Sequence, residues 1–99
     1  MVDYILSKKA QEDLLKIWFY TVENWSGKQA DIYYNNLIQS FEYIADNPDI
    51  AGRSYEEVRP NYRGFSSGRH IIFYRKLKKG KIRIIRILHE KMDFGRHLK

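Results

Sequence analysis

The sequence predicts an α+β domain, in which an N-terminal strand and a helical hairpin precede a three-stranded, mostly antiparallel sheet. Two apolar runs rich in β-branched residues, 70–77 and 82–89, flank a Lys-Lys-Gly turn and indicate a β-hairpin. Before them, two long stretches repeat apolar residues at steps of three and four, as amphipathic helices do. Ninety-nine residues allow one small hydrophobic core, so we expect a single domain over residues 1–99.

The N-terminal strand is predicted at residues 4–6, after Val2, and a helix follows it. Ser7 is one of the residue types that cap helix N-termini, because its hydroxyl accepts a free backbone N–H. Charged residues lie mostly off the apolar side of this helix, which is therefore predicted to be amphipathic. That apolar side consists of Ala10, Leu14, Ile17, Trp18, Thr21 and Trp25.

A second helix is predicted to begin at Ser26, because Gln29 three residues later completes the spacing of a capping box. It ends at Asn47 and Pro48, since proline cannot continue a helix. The two helices therefore form a hairpin. The apolar side of the second helix consists of Ala30, Tyr33, Tyr34, Leu37, Ile38, Phe41, Ile44 and Ala45. Residues of the hairpin expected mostly in the core are Trp18, Trp25, Tyr33, Leu37 and Phe41.

The C-terminal half is predicted to supply three strands. Residues 49–53 are expected to be loop, 55–59 extended, and 62–66 a short strand before the β-hairpin. Residues 90–99 are predicted to form a short helical turn or a tail. Strand side chains alternate with period two, and the second face of the sheet remains partly apolar, so we expect it to accept further contacts. The predicted core face consists of Ile71, Phe73, Leu77, Ile82, Ile84 and Leu88.

Charge is divided unevenly along the chain. Residues 1–52 carry four Lys or Arg against eight Asp or Glu, a net charge of −4, and residues 53–99 carry fourteen against four, a net charge of +10. This asymmetry indicates an acidic partner for the basic half, either nucleic acid or an acidic polypeptide. The cations alternate with aromatic residues, as on RNA-binding surfaces. As an alternative, Arg75 and Arg86 fall on the core-facing side of their strands and pair with acidic residues of the helices.

The titratable residues form no recognisable metal or catalytic motif. His70, His89 and His97 lack the spacing of paired metal ligands, so no metal and no cofactor are expected. His89 is either a general base among cations or a strand-end residue with local hydrogen bonds. The sequence has no cysteine and shows neither a signal-peptide pattern nor a membrane-spanning run, which predicts a cytoplasmic protein without membrane contacts.

Several short clusters occur in a fixed order along nearly the whole chain. They are Leu6 and Ser7 with Ala10, Asp13, Leu14, Ile17 and Trp18; Gln29, Ala30 and Tyr33; Asn47 and Pro48; Val58 and Arg59; Tyr62, Arg63 and Phe65; Gly68, His70 and residues 72–75; and Ile84, residues 86–89, Met92 and Asp93. With the order of elements, they resemble the ParE branch of the RelE/ParE toxin superfamily of bacterial toxin–antitoxin systems. The ordered set carries the resemblance, since any one cluster is weak.

The resemblance implies a small basic toxin in a heteromeric complex with a cognate antitoxin, which lays a helix along the hairpin and adds extended chain to the sheet. The implied target is DNA gyrase, whose cleaved-DNA complex is trapped, so the protein would be an inhibitor and not an enzyme. Antitoxin contacts are expected at Trp18, Tyr20, Tyr34, Ile72, Tyr74 and Ile85. Target contacts, assigned from charge and expected exposure, are Arg63, Arg69, Arg83, His89, Lys91, Met92 and Arg96.

Two other functions stay open. The sister RelE branch cleaves messenger RNA on the ribosome, and Glu57, Arg63 and His89 have the residue types of a ribonuclease site found in some relatives. No tyrosine follows Tyr74, and the residues after His89 resemble the ParE ending, which favours gyrase as the target. The third possibility is a member that has lost toxicity and only binds its antitoxin.

Overall fold

In a computed structural model that describes residues 3–98, a five-stranded mixed sheet carries two helices across one face. The α+β class predicted from the sequence is confirmed, while Val2 lies outside the described residues. The strands are β1 (Tyr4–Leu6), β2 (Arg53–Ser54), β3 (Arg63–Ser67), β4 (His70–Lys76) and β5 (Ile82–His89). The helices are α1 (Lys8–Asn24), α2 (Gly27–Asp46) and the short α3 (Phe94–His97), and a 3₁₀ turn (Lys78–Gly80) joins β4 to β5.

The strand order is β1-β5-β4-β3-β2, with β1 parallel to β5 and the other neighbours antiparallel. Strand β2 was not predicted, and the segment 55–59, predicted to be extended, forms turns instead. The Tyr55 carbonyl accepts hydrogen bonds from Val58 N at 2.9 Å and Arg59 N at 3.0 Å, so this backbone closes on itself rather than joining a ladder. Within residues 3–98, no helix combines the length and apolar character that crossing a bilayer requires.

Both long helices begin where the sequence predicts a cap. Ser7 Oγ accepts a hydrogen bond from Ala10 N at 3.0 Å and donates one to the Ile85 carbonyl at 2.7 Å, so this cap also fixes α1 to β5. Ser26 Oγ accepts from Gln29 N at 3.0 Å. Trp25, expected in the core, is 76% exposed because it ends α1 at the connection between the helices. The hairpin residues buried against the sheet include Ala10, Leu14, Ala30, Leu37, Phe41 and Ile44.

A β-bulge in β5 decides which side chains face the helices. The register shifts between Phe73 and Tyr74, which leaves Ile85 of β5 as an extra residue. Ile84 and Ile87 therefore both lie in the core beneath the helices, although they are three residues apart. Strict alternation does not anticipate this shift. The predicted core face is wrong for Ile71 and Phe73 of β4 and for Leu88 of β5, which lie on the opposite face of the sheet.

The sheet has a core on each face. In the helix-facing core, the strand residues are Ile72, Tyr74, Ile82, Ile84 and Ile87. On the opposite face, Ile71, Phe73 and Leu88 form a smaller cluster with Tyr55 and Leu98. The rings of Tyr55 and Phe94 lie 5.0 Å and 4.9 Å from the ring of Phe73, measured between centroids. The chain's own C-terminal turn, which includes α3, thus covers the face of the sheet opposite the helices.

Asp13 of α1 is buried and joins the helix to β5. Its carboxylate accepts hydrogen bonds from Arg86 Nε at 2.7 Å, Arg86 Nη2 at 2.9 Å and the Ile87 backbone N–H at 3.0 Å. Arg86 also donates a hydrogen bond to the His97 carbonyl at 3.3 Å, and this bond connects the C-terminal turn to the ion pair. The bond to Asp13 is the main reason that the pKa of Arg86 is raised. The predicted ion pair is confirmed for Arg86 and wrong for Arg75, which is exposed.

Replacement of Asp13 by alanine is predicted to lower the free energy of unfolding by about 3–5 kcal/mol, because it leaves the half-buried Arg86 without its carboxylate and the Ile87 N–H without an acceptor. Chemical denaturation measures the loss. Asp49→Ala is the control, since Asp49 pairs with Lys76 at the surface, where its side chain is 71% exposed, and a much smaller loss is expected. Equal losses in the two variants would contradict the role assigned to Asp13.

Candidate functional site

Four apolar residues of α1 form a second stripe outside the core. Leu15, Trp18, Phe19 and Val22 follow the i, i+3, i+4, i+7 spacing of one helix face. Leu15 is 58% exposed and Phe19 is 52% exposed, whereas Trp18 and Val22 are half-buried. The Trp18 ring meets Phe19 edge-on with centroids 5.3 Å apart, and its indole N–H donates to Asp31 of α2 at 3.3 Å. These four residues are called the hairpin surface below.

The hairpin surface has the form of a docking site for an apolar segment. Covering exposed apolar side chains recovers hydrophobic free energy, and partner helices bind such faces through anchors at the same spacing. Of the predicted antitoxin contacts, Trp18 belongs to this surface, and Tyr20 and Tyr34 are 66% and 40% exposed on α1 and α2. Sequence reasoning missed Leu15 and Phe19, although their i, i+4 spacing is the signal that would have found them.

Three other predicted antitoxin contacts lie elsewhere. Ile72 and Tyr74 are fully buried beneath the helices, so their side chains are not available to a partner and the expectation is wrong for them. The strand register explains the error, because Tyr74 pairs with Ile84 and Ile72 with Ile87 on the face that the helices cover. Ile85, the extra residue of the bulge, is half-buried and lines a cleft with Arg83.

Arg63 of β3 directs its guanidinium into the fold. Its Nε donates to Tyr74 Oη at 3.1 Å, and its Nη2 donates to the carbonyls of Asp49 and Gly52 at 3.0 Å and 2.7 Å. Tyr74 Oη in turn donates to the Pro48 carbonyl at 2.9 Å. These bonds hold the loop after α2 against the sheet. Arg63, expected to contact the target, therefore serves the structure in this fold.

One end of the sheet gathers two histidines and a tyrosine. Tyr33 Oη lies 2.6 Å from His70 Nδ1 and accepts a hydrogen bond from Arg69 N at 3.1 Å. His70 and His89 are opposite in register, and their rings meet edge to face with centroids 5.5 Å apart. Gly68 permits this packing, because its φ is +59° and a Cβ would lie 2.7 Å from the Tyr33 hydroxyl.

Burial controls the protonation of His70. Its pKa is lowered from 6.5 to about 4, first because burial disfavours the imidazolium and then because His89 lies nearby, while Asp13 and Glu90 act in the opposite direction. Burial is also the main cause that raises the pKa of Tyr33. Both groups are therefore neutral near pH 7, and the Tyr33 hydroxyl can donate a hydrogen bond to His70 Nδ1.

The predicted target contacts are divided among separate places. Two backbone hydrogen bonds hold a first group, Arg69, His89, Lys91 and Met92, together. Glu90 N donates to the Arg69 carbonyl at 2.9 Å, and Met92 N donates to the His89 carbonyl at 3.0 Å. His89 Nδ1 accepts from Lys91 N at 3.2 Å, the local hydrogen bond that one of the two interpretations predicts. Arg83 lies far along β5 from this group, and Arg96 is exposed on α3. The first group, called the histidine end below, comprises Arg69, His89, Lys91 and Met92.

The residues expected for a ribonuclease are not brought together. His89 lies level with Ser67 across the sheet, whereas Arg63 is four residues before Ser67 on β3, roughly 13 Å along the strand. Glu57 pairs with Arg53 at 3.2 Å in an exposed position. A base and a phosphate clamp must each reach the reacting group within hydrogen-bond distance. In this structure the two side chains start from different parts of the sheet. Within residues 3–98, no three His, Cys, Asp or Glu side chains are grouped so as to hold a metal ion.

Comparisons with known proteins identify similar chains. A family model described as the ParE toxin of the type II toxin–antitoxin system parDE matches residues 4–94. Toxin ParE1 of Mycobacterium tuberculosis is 42% identical over 95 residues, which cover 96% of each chain. Toxin ParE1 of Caulobacter vibrioides is 39% identical over 98 residues, which cover 99% of each chain.

The same architecture occurs in a solved structure described as a chromosomal ParDE TA system from P. aeruginosa. It superposes with a TM-score of 0.77, covering 90% of this chain and 96% of that chain, at 22% sequence identity. At that identity the likeness shows a shared fold, with an N-terminal strand, two helices and a mixed sheet.

Acidification is predicted to destabilise the protein through His70. The unfolded chain binds a proton at His70 near pH 6.5 and the folded chain only near pH 4, so this contribution is complete above pH 6.5 and is lost as the pH falls towards 4. We expect the Tm of the wild type to fall more steeply over this range than that of His70→Gln. Tyr34→Phe, at an exposed position of α2, should keep the wild-type slope. Equal slopes for the wild type and His70→Gln would contradict the assignment.

Proposed function

Because the chain belongs to the ParE toxin family of type II toxin–antitoxin systems, we propose that it stops DNA replication by trapping DNA gyrase on cleaved DNA, and that a cognate antitoxin neutralises it. The observation that carries the proposal is the family match over nearly the whole chain. The basic C-terminal half supports it, because gyrase works on DNA and clustered cations favour contact with a complex that contains phosphate backbone.

Trapping requires selective binding rather than covalent chemistry. Gyrase breaks and reseals DNA, so a protein that binds the cleaved complex more tightly than the resealed one raises the population of the cleaved state. A shift from about 1% to about 99% cleaved complex requires roughly 10⁴-fold tighter binding to the cleaved state. The histidine end suits such docking, because Arg69 and Lys91 present exposed cations beside the exposed apolar side chain of Met92. Together with Arg96, these residues are the proposed target contacts.

The hairpin surface is the proposed site for a helix of the antitoxin. Its exposed apolar stripe supports this assignment, and the P. aeruginosa structure of the same fold is described as a ParDE system. The outer strands of the sheet, β1 and β2, have three and two residues and offer edges to which extended chain can add. An acidic antitoxin segment would also suit the net charge of +10 on residues 53–99.

Inhibition is favoured over ribonuclease activity by the separation of Glu57, Arg63 and His89. Arg63 is engaged with Tyr74 and two loop carbonyls, so its Nε and Nη2 donors are already used within the fold. Neither Glu57 nor Arg63 lies at the sheet end that carries His89. A protein that acts by docking needs none, which is consistent with an inhibitor rather than an enzyme.

The proposal is tested by following macromolecular synthesis after the protein is expressed without antitoxin. We expect incorporation of labelled thymidine to stop before incorporation of labelled methionine, because gyrase poisoning blocks replication first. Early loss of methionine incorporation with cut messenger RNA would contradict the proposal and favour the ribonuclease. Unchanged growth would contradict both and indicate a member that only binds its antitoxin.

Leu15→Arg and Phe19→Arg are each predicted to weaken antitoxin binding about tenfold or more, because a charge replaces an apolar anchor of the hairpin surface. Titration calorimetry with purified antitoxin measures the affinity. Ile50→Arg is the matched control, since Ile50 is 75% exposed in the loop after α2 and outside the hairpin surface. Wild-type affinity in both α1 variants would exclude this surface as the antitoxin site.

A further inference from the structure

A cleft of about 400 Å³ lies where the start of α1 meets β4, β5 and the C-terminal turn. Its lining includes five cations, and no acidic residue of the described chain lines it. Arg86 is neutralised by Asp13, but the other four form no ion pair with any residue from 3 to 98. Those four residues, called the basic cleft below, are Lys8, Lys9, Arg75 and Arg83.

The arginine pair of the basic cleft is placed unfavourably for stability. Arg75 of β4 and Arg83 of β5 are direct partners in the antiparallel register, and both are exposed. Like charges directly opposite each other in a sheet are destabilising. The lysines at the tip of the same β-hairpin do not form such a repulsive cross-strand pair, because the turn exposes each of them separately to water.

The lysine pair is placed unfavourably for a different reason. Lys8 and Lys9 occupy the first turn of α1, a helix of 17 residues, and that turn contains no acidic residue. The helix dipole makes this end positive, so cations there are disfavoured and anions are favoured. Two independent violations of local stability rules thus meet at one cavity, a pattern typical of a functional site.

We propose that the basic cleft binds the phosphate backbone of DNA. Arginine guanidinium groups match phosphate oxygens through paired N–H donors, and the free N–H groups at the start of α1 add further donors. Tyr62 is half-buried in the wall of the cleft beside them. The choice of DNA rests on the proposed function, in which the target is a complex of gyrase with cleaved DNA.

An acidic peptide is a poorer match for the basic cleft. Extended peptides bind mainly through unpaired strand edges, but Arg83 lies on β5 where that strand is paired with β1 on one side and β4 on the other. Side-chain charges therefore have to supply the contacts. Phosphate backbone recognition depends on such charges and requires no sequence-specific pocket.

The test measures DNA binding by the full-length, antitoxin-free protein, using the fluorescence anisotropy of a short labelled duplex over a range of salt concentrations. For the double variant Arg75→Gln, Arg83→Gln we expect about tenfold weaker binding at low salt. The slope of log affinity against log salt should become shallower by roughly 1.8, about 0.9 for each phosphate that the variant no longer neutralises. Its Tm should not fall, because the substitution removes a repulsive pair. Lys78→Gln, Lys79→Gln removes the same charge outside the cleft and should bind like the wild type.

Equal weakening in the two double variants would overturn the proposal, since net charge alone would then explain binding. Equally tight binding of a poly-glutamate peptide, abolished in the same arginine variant, would overturn the assignment to nucleic acid.

The gyrase reaction separates this inference from the proposed function. If the wild type traps gyrase and the arginine variant traps it equally and binds DNA normally, only the cleft assignment fails. If the wild type binds DNA through the cleft but traps no gyrase, the proposed function fails and the cleft stands.

Discussion

The carboxylate of Asp13 holds the helices and the sheet in one arrangement. Strand β1 pairs with β5 over only three residues, from Ile82 to Ile84, so β5 continues beyond its neighbour. At that point Asp13 accepts the Ile87 N–H and neutralises Arg86. A buried N–H or guanidinium without a partner is costly, so α1 has to lie across this part of β5. The position of α1 in turn sets the position of α2 and the direction in which the hairpin surface faces.

Two covered faces leave little of the sheet available for binding. The helices cover one side of β4 and β5, and the C-terminal turn with Leu98 covers the other. The surfaces to which we assign function are therefore the outside of the hairpin, the histidine end and the basic cleft. These surfaces differ in chemistry, because the hairpin surface is apolar and the other two are cationic. One small fold can thus present a docking site for a protein partner apart from contacts for a complex that contains DNA.

Local interactions are what the residue pattern predicts well. Ser7 and Ser26 begin the two helices as predicted, because a cap depends only on residues within one turn. The β-bulge at Ile85 depends on pairing between strands, and this one added residue reverses the faces that alternation assigns to the rest of β5. Leu15 and Phe19 were missed because the buried and exposed apolar stripes of α1 adjoin, and packing on α2 and the sheet decides which is covered. The basic cleft joins residues far apart in the chain, which spacing does not connect.

The most direct test is a cleavage reaction with purified gyrase, plasmid DNA, ATP and the antitoxin-free protein, stopped with detergent and protease. Gyrase poisoning predicts that linear plasmid accumulates as the protein concentration rises, and that antitoxin added beforehand prevents it. Absence of linear plasmid at concentrations of the protein that bind gyrase, together with normal supercoiling, would contradict the assignment of gyrase as the target.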